Sequence, residues 1–312
     1  MSPLPNNNLS AELQRIALQL RPLEPKGSFS VLKTAENLGA HVELRFYSLG
    51  KRRDAQLETL NSPPRIILFR RSEADGSRSL SSSDENLLTT RERFSIAHEL
   101  GHLLATEQLH VKPPQEKSEY WEQEASMNAF ASELLVPGWL VEGWLRSIPK
   151  EKPIPPLALR QWARHECNVS EEVVAHAICR VGSGIGFMKG ALRANTDRPL
   201  SILKVLFSVN TPALALPAIN SHITYKDLLE ELNRRPLGAQ TFRSCALGKV
   251  APQDLTISWR RVSSLKKSSG QQGYAGSISE EIFWLSFSSI AEDDLLQLRP
   301  LEELFSERNT PG

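Results

Sequence analysis

The feature that most constrains this chain is the stretch 93–105, RFSIAHELGHLLA. Phe94, Ala97, Gly101 and Leu104 recur at helical spacing, and so do Ile96, Leu100 and Leu103. The segment therefore predicts a helix that is apolar around most of its circumference and belongs inside a core. Yet it carries His98, Glu99 and His102, an HExxH. Positions i and i+4 lie one above the other on a helix, so the two imidazoles can aim at one point with Glu99 beside it. Two imidazoles and a carboxylate suit an open zinc site that keeps one position for water. Zinc lowers the pKa of that water, and a neighbouring Glu can move its proton. The competing reading is a buried helix with two satisfied histidines and an exposed Glu. It asks a buried His pair to find other polar partners.

An HExxH needs a third protein ligand. The metzincin pattern would put Gly at 105 and His at 108, where this chain has Ala105 and Gln108. His110 is off register and reads as a surface residue or as one behind a ligand. A second source is the segment 120–136, YWEQEASMNAFASELLV, a predicted helix stopped by Pro137 and Gly138. There Glu124 shares a face with Met127, Asn128, Ala131 and Leu135, whereas Glu122 and Glu133 fall opposite and read as solvated. A carboxylate on an apolar face is costly unless it is paired or binds a metal. Asn128, one turn on, could hydrogen-bond a ligating histidine and fix its tautomer. A third source is His165, Cys167, His176 and Cys179, which could make a separate structural zinc site or be unrelated residues with core cysteines.

Around this centre the chain punctuates itself. A helix is expected from Ser10 to Leu20 and another over 30–38, ended by Gly39. Residues 41–47 alternate Val42, Leu44 and Phe46 against Glu43 and Arg45, a half-buried strand; 65–69 (RIILF) is a second strand. A small sheet packed on the HExxH helix follows, an α+β arrangement. The serine-rich stretch 71–90 reads as a loop.

RERFSIAHELGHLLA followed by ExxxNxFASELLVP (Glu124 to Pro137) resembles the ImmA/IrrE metallopeptidases, over about residues 30–182. The chain departs from that family at Met127, where Ala is common, and at Val136, where Met is common; both are packing positions. The resemblance implies a zincin-like α+β domain in which His98, His102 and Glu124 hold zinc and Glu99 is the general base. Mn2+ and Fe2+ are alternatives for such a donor set. It also implies a regulatory endopeptidase that cuts a helix-turn-helix repressor or antitoxin, in a stress-response, mobile-element or toxin–antitoxin setting. The alternative is a non-proteolytic module that sequesters such a partner.

Residues 157–181 predict two helices about a turn at Asn168, Val169 and Ser170, which is helix-turn-helix-like. A recognition helix presents its N-terminal residues to the major groove. Here these are Glu171 and Glu172, which phosphates would repel, so direct DNA binding is not expected. Beyond a boundary read at 189–196, strands are expected at 203–209, 255–262 and 282–287, with a helix over 225–232 and a turn-rich loop over 266–276. Trp259, Trp284 and Phe287 could line a ligand pocket or fill a core. The expected organisation is a metallopeptidase-like domain at 1–150, a helix-turn-helix-like segment at 151–190 and a C-terminal α+β domain at 191–312, with a sensor or recognition role by analogy.

The net charge of +1 gives no polyanion-binding signal across the 312 residues. Three cysteines (Cys167, Cys179, Cys245) are too few and odd for a disulfide framework and suit a reducing compartment. The start MSPLPNNNLSAELQ lacks a basic segment followed by an apolar one, and no apolar run reaches membrane-span length. A cytoplasmic protein is expected.

Overall fold

The structure, a computed structural model, describes residues 6–21, 29–47, 54–72, 75–147, 154–182, 185–195, 198–210, 216, 222–223, 226–235, 237–243, 254–267 and 278–289. It is mixed α+β with two sheets and divides into two compact units. One unit takes residues 1–137 and 163–173; the other takes 138–162 and 174–312. Among the described residues, no helix is long and apolar enough to cross a membrane.

The first unit opens with α1 (Asn6–Leu20) and α2 (Val31–Asn37). Helix α1 starts one turn before Ser10, because Leu9 continues the buried face of Leu13, Ile16 and Ala17. Ser30 caps α2 by accepting from the Lys33 amide, and Gly39, at φ 74°, turns the chain out of it. Strands β1 (His41–Tyr47), β2 (Ala55–Glu58), β3 (Arg65–Arg71) and β4 (Gly76–Leu80) form a sheet in the order β2-β3-β1-β4. Strands β1 and β3 are parallel; the other pairs are antiparallel. Val42, Leu44, Ile66, Ile67 and Leu68 are buried, and each such aliphatic side chain contributes about 1.5–3 kcal/mol.

The stretch 71–90 is not a simple loop. It holds β4, paired with β1 from Val42–Leu80 to Phe46–Gly76, then a 3-10 turn, Ser82–Leu87. Hydrogen bonds to the neighbouring strand determine this structure, and its serine-rich composition masks it. Helix α3 (Thr90–Glu107) then starts on a capping box: Thr89 Oγ1 accepts from the Glu92 amide at 3.2 Å, and Glu92 Oε2 accepts from the Thr89 amide at 2.8 Å. Arg70 at the end of β3 grips the same Glu92 through two hydrogen bonds of 2.8 and 2.7 Å.

Helix α4 (Lys117–Leu135) packs against both α1 and α3. Two covered sides explain why Glu133, expected to be solvated, is buried at 6 % exposure. Arg21 donates to the carbonyls of Leu134 and Leu135 at 3.1 and 2.9 Å, satisfying the end of α4.

The second unit contains α5 (Gly138–Ser147), which the sequence reading missed, α6 (Pro156–Trp162) and most of α7 (Glu171–Val181). A π-helical turn, Ala163–Cys167, and Asn168 at φ 51° separate α6 from α7. Strands β5 (Ile185–Asn195), β6 (Arg198–Asn210), β7 (His222–Ile223), β8 (Leu237–Arg243), β9 (Asp254–Lys267) and β10 (Ile278–Ser289) form an antiparallel sheet in the order β7-β6-β5-β10-β9-β8. Strand β5 occupies the stretch read as a boundary. Helix α8 (Lys226–Arg234) puts Leu228, Leu229 and Leu232 against Met188, Leu203, Ile257, Trp259 and Phe283. Trp259 and Trp284 are core residues, each 1 % exposed; the expectations for the Phe287 side chain and for residues 268–276 lie outside the described residues.

One buried charge holds α2 and α3 together. Arg93 of α3 pairs with Glu85 and donates to the Phe29 carbonyl at 3.3 Å. Glu85 in turn accepts from Ser30 Oγ at 2.7 Å and from the Leu32 amide at 3.0 Å. Burial, followed by the charge of Arg21, pushes Arg93 down to about 10, so it stays protonated at neutral pH. Glu85→Ala leaves that cation uncompensated and should destabilise the fold by about 3–5 kcal/mol, read as a lower urea midpoint. Adding Arg93→Met should recover part of the loss.

Candidate metal centre

The HExxH lies in the middle of α3, whose buried residues Ile96, Ala97, Leu100, Leu103 and Leu104 hold the helix in the core. His98 and His102 lie on its half-exposed face, their rings edge to face with centroids 5.0 Å apart. Helix α4 supplies Glu124, 22 % exposed in its side chain. His98 Nε2 is 3.3 Å from Glu124 Oε2, His102 Nε2 is 3.4 Å from Glu124 Oε1, and the two Nε2 atoms are 3.2 Å apart. Among the described residues, His98, His102 and Glu124 form the one group of three or more His, Cys, Asp or Glu side chains that could hold a metal ion.

The donor spacing can be tested against an ion. Bonds of about 2.0–2.1 Å in a tetrahedron require donor separations of about 3.3–3.4 Å. The three observed separations of 3.2, 3.3 and 3.4 Å fall at that value. The histidine chemistry agrees. Asn128 Oδ1 accepts from His98 Nδ1 at 3.0 Å, which leaves the Nε2 lone pair of His98 facing His102 and Glu124. Burial and the neighbouring His98 lower the pKa of His102 against the opposing pull of Glu124, favouring the neutral ligand form. The donor set therefore fits a divalent ion such as zinc.

Glu99 is half-buried beside the cluster. Burial, and next the charge of Glu124, push its carboxyl up to about 7, while a hydrogen bond from the Leu57 backbone opposes the shift. Leu57 lies on β2, the terminal strand of the first sheet. Arg91 of α3 also pairs with Asp54, just before β2. A carboxyl poised near neutrality can both accept and return a proton.

Gly101 explains how α4 comes close enough. A Cβ there would meet Met127 Sδ at 3.0 Å and Phe130 Cδ1 at 3.1 Å, with the Met127 Cα at 3.5 Å. The missing side chain permits the α3–α4 approach that carries Glu124 to the histidines. Neither this contact nor the Leu57 backbone was anticipated from the sequence. The glycine inside an apolar helix was the available signal for the first.

The other sequence candidates lie elsewhere. His110 is exposed, with a left-handed backbone at φ 52°. His165 and His176 are exposed, and burial pushes the thiols of Cys167 and Cys179 each up to about 12, so neither is a ready thiolate ligand.

Two outcomes follow for metal binding, both read by zinc titration calorimetry. Asn128→Ala frees the His98 ring and should weaken zinc affinity roughly 10- to 100-fold with little change in stability. Gly101→Val forces α4 away from α3 and should weaken it at least as much, with a lower melting temperature.

No curated protein matches the chain. A solved structure described as a Mycobacterium tuberculosis transcriptional regulator is similar over 91% of this chain and 78% of that chain, at 11% identity and a TM-score of 0.49. That likeness is too distant to carry an argument. The sequence carries more, over a narrower span than the 30–182 of the resemblance: residues 83–178, which hold the HExxH helix and Glu124, match the family model Peptidase_M78, the IrrE N-terminal-like domain, and the C-terminal part is left unassigned.

Proposed function

We infer that this chain is a zinc-dependent endopeptidase with His98, His102 and Glu124 as metal ligands and Glu99 as general base. The observation that carries this reading is the mutual spacing of the three donors, 3.2–3.4 Å. The Peptidase_M78 match over the same residues supports it. A divalent ion held there would supply a Lewis acid that activates water and polarises a peptide carbonyl.

The chain's own residues do the rest. Asn128 holds the His98 ring through Nδ1. The Leu57 backbone orients the Glu99 carboxylate. That carboxylate takes a proton from the attacking water and returns it to the amine nitrogen as the peptide C–N bond breaks. The buried apolar residues of α3 back the histidines.

The substrate we propose is a regulatory protein, a helix-turn-helix repressor or antitoxin, cut inside the cell. Incubation of the zinc-loaded chain with such a protein encoded beside it should give two fragments, read by mass spectrometry. A stable stoichiometric complex without fragments would mean a sequestering module instead. Glu99→Gln should keep zinc at full stoichiometry and lower cleavage by at least 100-fold; undiminished cleavage by that variant would remove Glu99 from the mechanism.

A further inference from the structure

An acyl transfer of this kind develops negative charge on the carbonyl oxygen, and a hydrogen-bond donor from the protein aimed at that oxygen speeds it. Tyr120 supplies a candidate. It lies one turn before Glu124 on α4. Its hydroxyl hydrogen-bonds the Glu124 carboxylate and is close enough to Glu99 to feel its charge. The residue is 44 % exposed, and its ring meets Trp121 edge-on at 5.1 Å rather than being enclosed by core. One phenolic O–H is thus within reach of the proposed ligand carboxylate and the proposed base, on a side chain that can rotate. A phenolic O–H is protonated at neutral pH and so is a donor there.

We propose that Tyr120 is a catalytic residue of the peptidase reaction, its hydroxyl leaving Glu124 to donate a hydrogen bond to the carbonyl oxygen of the scissile peptide. The inference rests on the peptidase reading given above. As the water oxygen bonds to the carbonyl carbon, the π pair moves onto the carbonyl oxygen and the water proton goes to Glu99. The Tyr120 hydroxyl, still carrying its own proton, stabilises that oxygen. When the C–N bond breaks, the pair re-forms the carbonyl, the nitrogen takes the proton from Glu99, and Tyr120 returns to Glu124. The phenol is neither consumed nor ionised.

The test compares the full-length, zinc-loaded wild type with Tyr120→Phe, which keeps the exposed ring and removes the donor. Three readouts apply: zinc affinity by chelator competition, kcat and KM on an internally quenched peptide selected from a library for cleavage by the wild type, and the Kd of a phosphinic peptide of the same sequence, which mimics the tetrahedral oxyanion. The expected result is a kcat lower by roughly 100-fold with KM within twofold, a similar weakening of the phosphinic peptide, and unchanged zinc affinity. Unchanged kcat and phosphinic Kd would overturn the proposal. So would a loss of zinc affinity that tracks the loss of kcat, because the hydroxyl would then only position Glu124. If the zinc-loaded wild type cleaves no library peptide, the peptidase reading itself fails and takes this role with it, a result visible before any substitution is made.

Discussion

Everything proposed for this centre depends on the close contact of α3 with α4 across Gly101. Two histidines one helical turn apart define a line and not a site. The third donor has to arrive from another segment, and a carboxylate reaches only a few ångströms from its helix. With Met127 and Phe130 lying against the bare α-carbon of Gly101, Glu124 meets both imidazoles. Close packing inside a core is stiff, so this geometry is set before any ligand is present. A site prepared in this way binds without first ordering its donors.

The fixed position of α3 has its own causes. Its first turn is tied to the sheet through Arg70 and Glu92, and to α2 through Arg93 and Glu85. The buried pair between Arg93 and Glu85 contributes less to net stability than to the choice of arrangement, since apolar replacements of such pairs are often as stable. The Leu57 backbone and the Arg91–Asp54 pair bind the terminal strand β2 to the same helix. The base and the strand beside it are therefore directly linked.

The parts of this structure that were legible in the sequence have short-range causes. Strand β1 shows in the alternation of Val42, Leu44 and Phe46, α2 in the Ser30 cap and Gly39, and the shared helix faces of His98 with His102 and of Glu124 with Asn128 in helical spacing. What stayed hidden depends on a partner distant in the chain. Strand β4 consists of Gly, Ser, Arg, Ser and Leu and becomes a strand because the edge of β1 is there to pair with it. Glu133 reads as solvated until α1 covers the second side of α4. The Thr89–Glu92 box is a counterexample: its pattern is local, and it lies within a polar stretch that otherwise resembles a loop. In the second unit, strand pairing across long separations gave only partial signals, and β5 and β8 went unread.

The way the two compact units share the polypeptide has a consequence for dissecting the molecule. Passing along the backbone, the chain leaves the first unit after residue 137, re-enters it at 163, and leaves again after 173. Neither unit is a contiguous piece, and the segment matching Peptidase_M78 draws on both. No single cut in the polypeptide separates the two cleanly. A cut after residue 173 keeps the first unit whole but carries 138–162 of the second with it, and a start at 138 keeps the second whole but carries 163–173 of the first, so every single truncation that spares one unit leaves a stranded piece of the other.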